Sequence, residues 1–483
     1  MKQKSLKMNA IFNLLKSFMS IVFPIVSFPY ASRVLMPEGI GKVNFINSII
    51  EYFILIAVLG INSYASREAA KIRDNKVKLS KFAKEMLLIN FISTGISYLA
   101  LAICFFIVPK FSEYRLLVII CSTKILFTTA GMEWLYRAEE EYGYMTFRQT
   151  IFQVFSLVFL FTLVKTENDY HMYAGIGVFA NVGANIFNFI YSRRFIDLFD
   201  KSKLEIKKHI KKVFTFFGIT CAGKINSALD AVMLGFIIDD TAVGIYSAAI
   251  KINRMVIELI TSAVSYFMPR SSYYLENNNI DGYKKMVGTV CNATFFFAIP
   301  AATGLFILCE PIIILFSGNQ YLAAVPSMKI MSAVVIASCA NSFLLNLIIT
   351  PQGKEKFTLI AQIIAACTNI ILNALLISHF EVFGAALATL VVELILPIVV
   401  LIPAWKYIAF WKNFANILKS IFGSIAMFLV LSIFIRYVQN NFLKIICSVS
   451  VGSFTYAVAE IALKHETALL LLGGIRKKIG VKK

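Results

Sequence analysis

Apolar runs of about twenty residues recur along almost the whole of this sequence, and nothing constrains its folding more. As a helix, a run of that length crosses the hydrocarbon core of a bilayer. Backbone N–H and C=O groups find no water there, so each run must satisfy them internally. About fourteen candidate spans lie at approximately 8–28, 43–62, 85–108, 116–136, 147–165, 173–192, 213–237, 244–267, 286–308, 323–349, 357–378, 383–404, 416–436 and 443–463. Of the 483 residues 58% are hydrophobic and 15% are charged, against roughly 25% charged in a soluble domain. Too little polar surface remains to cover a globule in water. The expected class is an all-α integral membrane protein.

A net charge of +20 raises the question of a nucleic-acid partner. The distribution excludes it, because most Lys and Arg residues lie in short tracts between apolar runs. With the N-terminus inside, only eight of the 47 basic residues fall on outside loops: Arg33, Lys42, Lys110, Arg115, Lys165, Lys329, Arg436 and Lys444. That asymmetry places both termini in the cytoplasm. Lys2, Lys4 and Lys7 precede the first run, and no small-x-small cleavage site follows it. The first run therefore reads as an uncleaved span.

The inside tract from Arg193 to Lys212 is strongly basic and lies near mid-chain. It reads as the linker between two halves, with Phe195–Ile210 as an amphipathic stretch along the membrane surface. Two turns suggest that the halves repeat. Pro37-Glu38-Gly39-Ile40-Gly41 enters the second span, and Thr241-Ala242-Val243-Gly244-Ile245 enters the eighth. Ala138-Glu139-Glu140-Glu141-Tyr142 matches Gly353-Lys354-Glu355-Lys356-Phe357 in the same way. The expected organisation is an N-terminal lobe over 1–205, a C-terminal lobe over 206–405, and two added helices with a basic tail over 406–483.

The chain carries no P-loop, no GxGxxG in a βαβ context and no DxD pair, and its eight cysteines are scattered without CxxC spacing. Neither nucleotide chemistry nor a metal site is expected. No long external loop is available to hold acid and base groups for a membrane enzyme. A membrane polymerase or ligase, which would need such a loop, is therefore the less favoured alternative to a transporter.

Charges at membrane depth are expensive, roughly 2.5–3.5 kcal/mol each on insertion scales, and so mark function. The eighth run is the clearest: Ser247, Lys251, Arg254, Glu258, Thr261 and Ser265 share one helical face. The first run carries Lys16, the fourth Lys124 and the seventh Lys224 and Asp230, while the second carries Asn44, Asn47 and Glu51. A water-filled central cavity between two lobes accounts for such a set. Lys16, Lys124, Lys224, Lys251 and Arg254 form the expected cationic site, suited to phosphate oxygens. Structural pairing is the alternative, since Arg254 and Glu258 stand at i,i+4. Glu51, Asp230, Glu258 and Glu393 are the candidates for binding a coupling proton or sodium ion. No other cofactor is expected.

The stretch Arg33-Val34-Leu35-Met36-Pro37-Glu38-Gly39-Ile40-Gly41-Lys42-Val43-Asn44-Phe45 resembles the first-loop signature of polysaccharide repeat-unit flippases. Leu59-Gly60-Ile61-Asn62-Ser63-Tyr64-Ala65-Ser66-Arg67-Glu68 and Leu229-Asp230-Ala231-Val232-Met233-Leu234-Gly235 are similar to that family too. These are the O-antigen and capsule flippases of the multidrug/oligosaccharidyl-lipid/polysaccharide (MOP) exporter superfamily. The resemblance implies fourteen helices in two pseudo-symmetric six-helix lobes plus two C-terminal helices. It implies translocation of undecaprenyl-pyrophosphate-linked oligosaccharide to the outer leaflet of the bacterial cytoplasmic membrane by alternating access. It also implies a polysaccharide polymerase and a chain-length regulator as partners. An ion-coupled multidrug efflux transporter and a peptidoglycan-precursor flippase are the alternatives. Met36 departs from the family pattern, which favours glycine before Pro-Glu.

Overall fold

The computed structural model describes residues 6–198, 204–405 and 410–478, with the side chains of 6–18 and of some other helical positions outside the described set. Among the described residues the regular structure is helical throughout. Nine helical stretches among them are long and apolar enough to cross a membrane. The protein is a multi-pass all-α membrane protein. The chain divides into two compact units, Met1–Gly244 and Ile245–Lys483.

In the first unit, α1 (Leu6–Val58) holds two arms joined at Met36, whose φ of 60° and ψ of 174° break the helix. Few residues except glycine adopt that region at low cost, which is the physical reason glycine suits the position. Pro37 follows as the first helical residue of the second arm, where its missing N–H has no helical acceptor to lose. Leu59 and Gly60, both left-handed, then turn the chain into α2 (Ile61–Ile72). A Cβ at Gly60 would overlap the backbone of Phe216 and Phe217. There follow α3 (Lys76–Ile107), α4 (Pro109–Glu113), α5 (Arg115–Ala130), α6 (Glu133–Ala138), α7 (Tyr142–Leu163), α8 (Tyr170–Val178), a π-turn, α9 (Asn185–Ser192) and α10 (Lys207–Ile237).

The second unit begins within α11 (Asp240–Ser265) and continues through α12 (Met268–Glu276), α13 (Ile280–Ile307), α14 (Cys309–Phe316) and α15 (Val325–Leu344). It ends with α16 (Glu355–Ala404), α17 (Phe410–Phe434), α18 (Asn441–Ala462) and α19 (Glu466–Lys478). Like α1, α16 holds two arms, broken at Glu381 with φ 50° and ψ −127°. The expected first and second spans thus share one long stretch, as do the eleventh and twelfth. The helices α5, α10 and α11, expected as the fourth, seventh and eighth spans, are not among the nine apolar stretches.

The mid-chain linker corrects one expectation. Phe195–Ile210 does not form a surface helix over its described residues: 196–197 and 204–205 are irregular, and helix resumes at Lys207. Phe195 and Ile196 are buried in an aromatic cluster with Tyr64 of α2, Phe82 of α3 and Trp134 of α6. Polar bonds hold the chain out of helical geometry. The Asp197 N–H donates to Ser80 Oγ at 2.8 Å, and the Glu205 N–H donates to Glu85 Oε1 at 2.7 Å. Hydrogen bonds from Lys81 first and Lys208 second hold the Glu205 carboxyl down to about 2.

Behind them lies a buried chain of three groups. Tyr64 Oη stands 2.7 Å from His209 Nδ1, and His209 Nε2 stands 2.8 Å from Glu85 Oε2. Glu85 is 1% exposed. This chain ties α2 and α3 to the start of α10. His209→Ala would leave a buried carboxylate and a hydroxyl short of a partner, at roughly 1–3 kcal/mol for each such group. A clear fall in the melting temperature of the purified protein is the expected result. An unchanged melt would show that the triad adds nothing to stability.

Candidate functional site

In the first unit, the second arm of α1 turns Asn47 and Glu51, at i and i+4, toward two lysines. Lys124 Nζ of α5 donates to Asn47 Oδ1 at 2.5 Å, and Lys224 Nζ of α10 donates to Glu51 Oε2 at 2.9 Å. The Lys224–Glu51 pair is about half exposed, at 51% and 40% of the two side chains. A pair so exposed contributes little to stability, typically under about 1 kcal/mol, so stability alone does not account for these charges. Asp230, further along α10, is buried. Lys16 lies in the first arm of α1, and its side chain is outside the described residues.

In the second unit, Lys251 is half-buried and Arg254 and Glu258 are exposed, all on α11. Glu393 of α16 accepts a hydrogen bond from Ser338 Oγ of α15 at 2.7 Å. The sequence-derived set therefore resolves into a Lys124–Asn47–Glu51–Lys224 array in the first unit and a Lys251–Arg254–Glu258 stripe in the second. Glu393 is held by a serine.

The other face of α11 does something the apolar pattern did not reveal. Val256, Leu259, Ile260 and Ala263 line a groove of about 840 Å³ between α11, α12 and α13. At about 100° per residue these positions lie roughly opposite the Lys251–Arg254 stripe. Met286, Thr289, Val290, Ala293 and Phe297 of α13 form the facing wall, at the three- and four-residue steps of one helical face. Arg270 of α12 and Lys285 of α13 are also among its lining residues. A second groove, about 500 Å³, adjoins it through the shared Val256, Phe297 and Ala301 and is walled by Met427 and Gly452 among others. Sequence reasoning missed Arg270 and Lys285 because both lie outside the long apolar runs, where a charge is inconspicuous. The arrangement suits an amphiphile with a long apolar chain and an anionic head.

Comparison with known proteins places this geometry. Residues 6–275 match the sequence family described as polysaccharide biosynthesis protein. Two proteins bearing the name "Putative O-antigen transporter" are similar to this chain. That of Escherichia coli (strain K12) is 24% identical over 395 residues, covering 80% of this chain and 94% of the relative. That of Shigella dysenteriae is 24% identical over 390 residues, covering 78% and 94%. Among solved structures, an inward-facing multidrug resistance MATE family transporter of the MOP superfamily superposes with a TM-score of 0.61 at 12% identity, over 82% of this chain and 98% of that one. The MATE multidrug transporter DinF-BH gives 0.60 at 16% identity, over 84% and 96%. At such identities the structural likeness establishes the fold. With the sequence match reaching over more than half of its 483 residues, this chain belongs to the polysaccharide biosynthesis protein family and has the fold of MOP-superfamily transporters.

Proposed function

We propose that this protein is a flippase, not an enzyme, which carries undecaprenyl-pyrophosphate-linked oligosaccharide repeat units from the inner to the outer leaflet of the bacterial cytoplasmic membrane. The observation that carries the reading is the groove of α11, α12 and α13, apolar on most of its walls with Arg270 and Lys285 among its lining residues. A polyprenyl chain fits the groove and its pyrophosphate is a ligand for these two cations, while Lys251 and Arg254, on the other face of α11, are the proposed cavity cations of the second half. Lys16, Lys124 and Lys224 remain the proposed cations of the first half. The O-antigen transporter relatives and the family match support a polysaccharide-linked cargo. We read both termini as cytoplasmic, and 1–205, 206–405 and 406–483 as the functional lobes and appendix. Movement is by alternating access, with a proton or sodium ion coupled through Glu51, Asp230, Glu258 or Glu393. A polymerase and a chain-length regulator would take over the delivered repeat units.

Filling the groove tests this. Ala293→Trp should make lipid-linked oligosaccharide accumulate on the inner leaflet and lower surface glycan several-fold, while Ala293→Ser leaves both near wild type. Surface glycan at the wild-type level in the Trp variant, with protein present in the membrane, would reject the assignment. A loss of drug resistance in place of glycan would favour multidrug efflux instead.

A further inference from the structure

The C-terminal helices contain a buried acid that the sequence reading did not single out. Glu460, at the end of α18, is 0% exposed, and neither carboxyl oxygen has a hydrogen-bond partner. The carboxyl rests on the bare backbone of α17, where a Cβ at Gly423 would overlap Oε1. Ser420, which lies beside the Tyr456 hydroxyl, and Ser424, whose hydroxyl has no partner, flank this contact, and both are buried.

The charged and titratable neighbours on each packed element are otherwise engaged. Lys419 of α17 donates its ammonium to the Lys464 carbonyl at 3.1 Å. Tyr456 of α18 donates to the Phe296 carbonyl of α13 at 2.8 Å. Glu466 of α19 accepts from Asn292 Nδ2 of α13 at 3.0 Å and from Asn416 Nδ2 of α17 at 3.4 Å. His465, in the α18–α19 turn, is 0% exposed. Its Nδ1 accepts the Thr467 N–H at 3.1 Å, so its proton sits on Nε2. Burial, and then Lys419, hold this imidazole down to about 4, so it is neutral at physiological pH. Nδ1 lies 3.9 Å from Glu460 Oε2 and, carrying no proton, has nothing to donate to it. A bare carboxylate here would be sealed from water with no hydrogen bond made to it and no cation paired with it, an arrangement that disfavours the ionised form.

We propose that Glu460 is a proton-binding site, occupied at neutral pH and emptied only when α18 parts from α17 and α19 and water reaches the carboxyl. On release the O–H bond breaks, the proton passes to water and the carboxylate keeps the electron pair. A proton fits better than a sodium ion, because the two serine hydroxyls are too few oxygens to replace a metal ion's hydration. The site lies on the helices outside the two proposed lobes, and it stands whatever the cargo.

Infrared spectroscopy of the full chain, purified and reconstituted in lipid without sodium, tests the proposal. At pH 7 the wild type should show a protonated-carboxyl carbonyl band that Glu460→Gln lacks. Glu460→Asp should shift the band without abolishing it, which guards against a variant lost for reasons of folding. Carboxylic-acid bands at pH 7 that are identical in wild type and Glu460→Gln would overturn the proposal. So would a wild-type band that disappears when sodium chloride is added at fixed pH, since that is the mark of a sodium site.

Discussion

Replacing Lys251 and Arg254 together with alanine is expected to abolish most surface glycan while the protein still inserts. Each removed charge-assisted hydrogen bond to a phosphate oxygen is worth roughly 1.5–3 kcal/mol, or on the order of ten- to a hundredfold in affinity. Arg254 is exposed, so its loss opens no cavity in the core. Lys224→Ala should have a smaller effect, because Lys224 already shares its charge with Glu51 at 2.9 Å. Glycan staining of whole cells, normalised to the amount of membrane-inserted protein, measures both. Wild-type glycan in the double variant would leave the α11 stripe with a packing role only.

Gly41→Val or Gly244→Val should be just as damaging, through packing. A Cβ at Gly41 would overlap the Asp240 carbonyl, and one at Gly244 would overlap the Pro37 carbonyl. Backbone on the other side of a contact cannot rotate away, so the elements must separate. Overpacking of this kind typically costs about 1–3 kcal/mol. It would also disturb the neighbouring bonds from Tyr114 to the Asp240 carboxylate and from Lys110 to the Gly235 carbonyl. The purified Val variants should melt clearly below wild type and support little glycan display. Gly95→Ala is the control, because nothing lies within 4 Å of a Cβ there; its melt should match or slightly exceed wild type, since alanine is the better helix former. Val variants that melt with the wild type would show that this contact is not tight in solution.

These glycines show what could be read from the chain and what could not. The turns around Gly41 and Gly244 look alike in sequence, as a repeat would. In the structure they touch, and the close approach of two backbones accounts for the small residues. The apolar runs were legible because lipid enforces them. The helices α2 and α12 were not, because 12 and 9 residues of mixed character resemble any polar loop. The pairing of Lys224 with Glu51 spans 173 residues, beyond any local pattern. Glu460 escaped notice because one acid near the end of a run reads as a group reaching for the interface. Only its enclosure by α17 and the His465 turn shows otherwise.

The single-residue breaks at Met36 and Glu381 have a mechanical consequence. With one left-handed residue between helical arms, neither connection has slack. Each pair of arms meets at a one-residue corner, so tilting one arm next to the corner pulls directly on its neighbour. Tags or epitopes placed at these two corners would have to unwind helix, because there is no spare chain to lengthen.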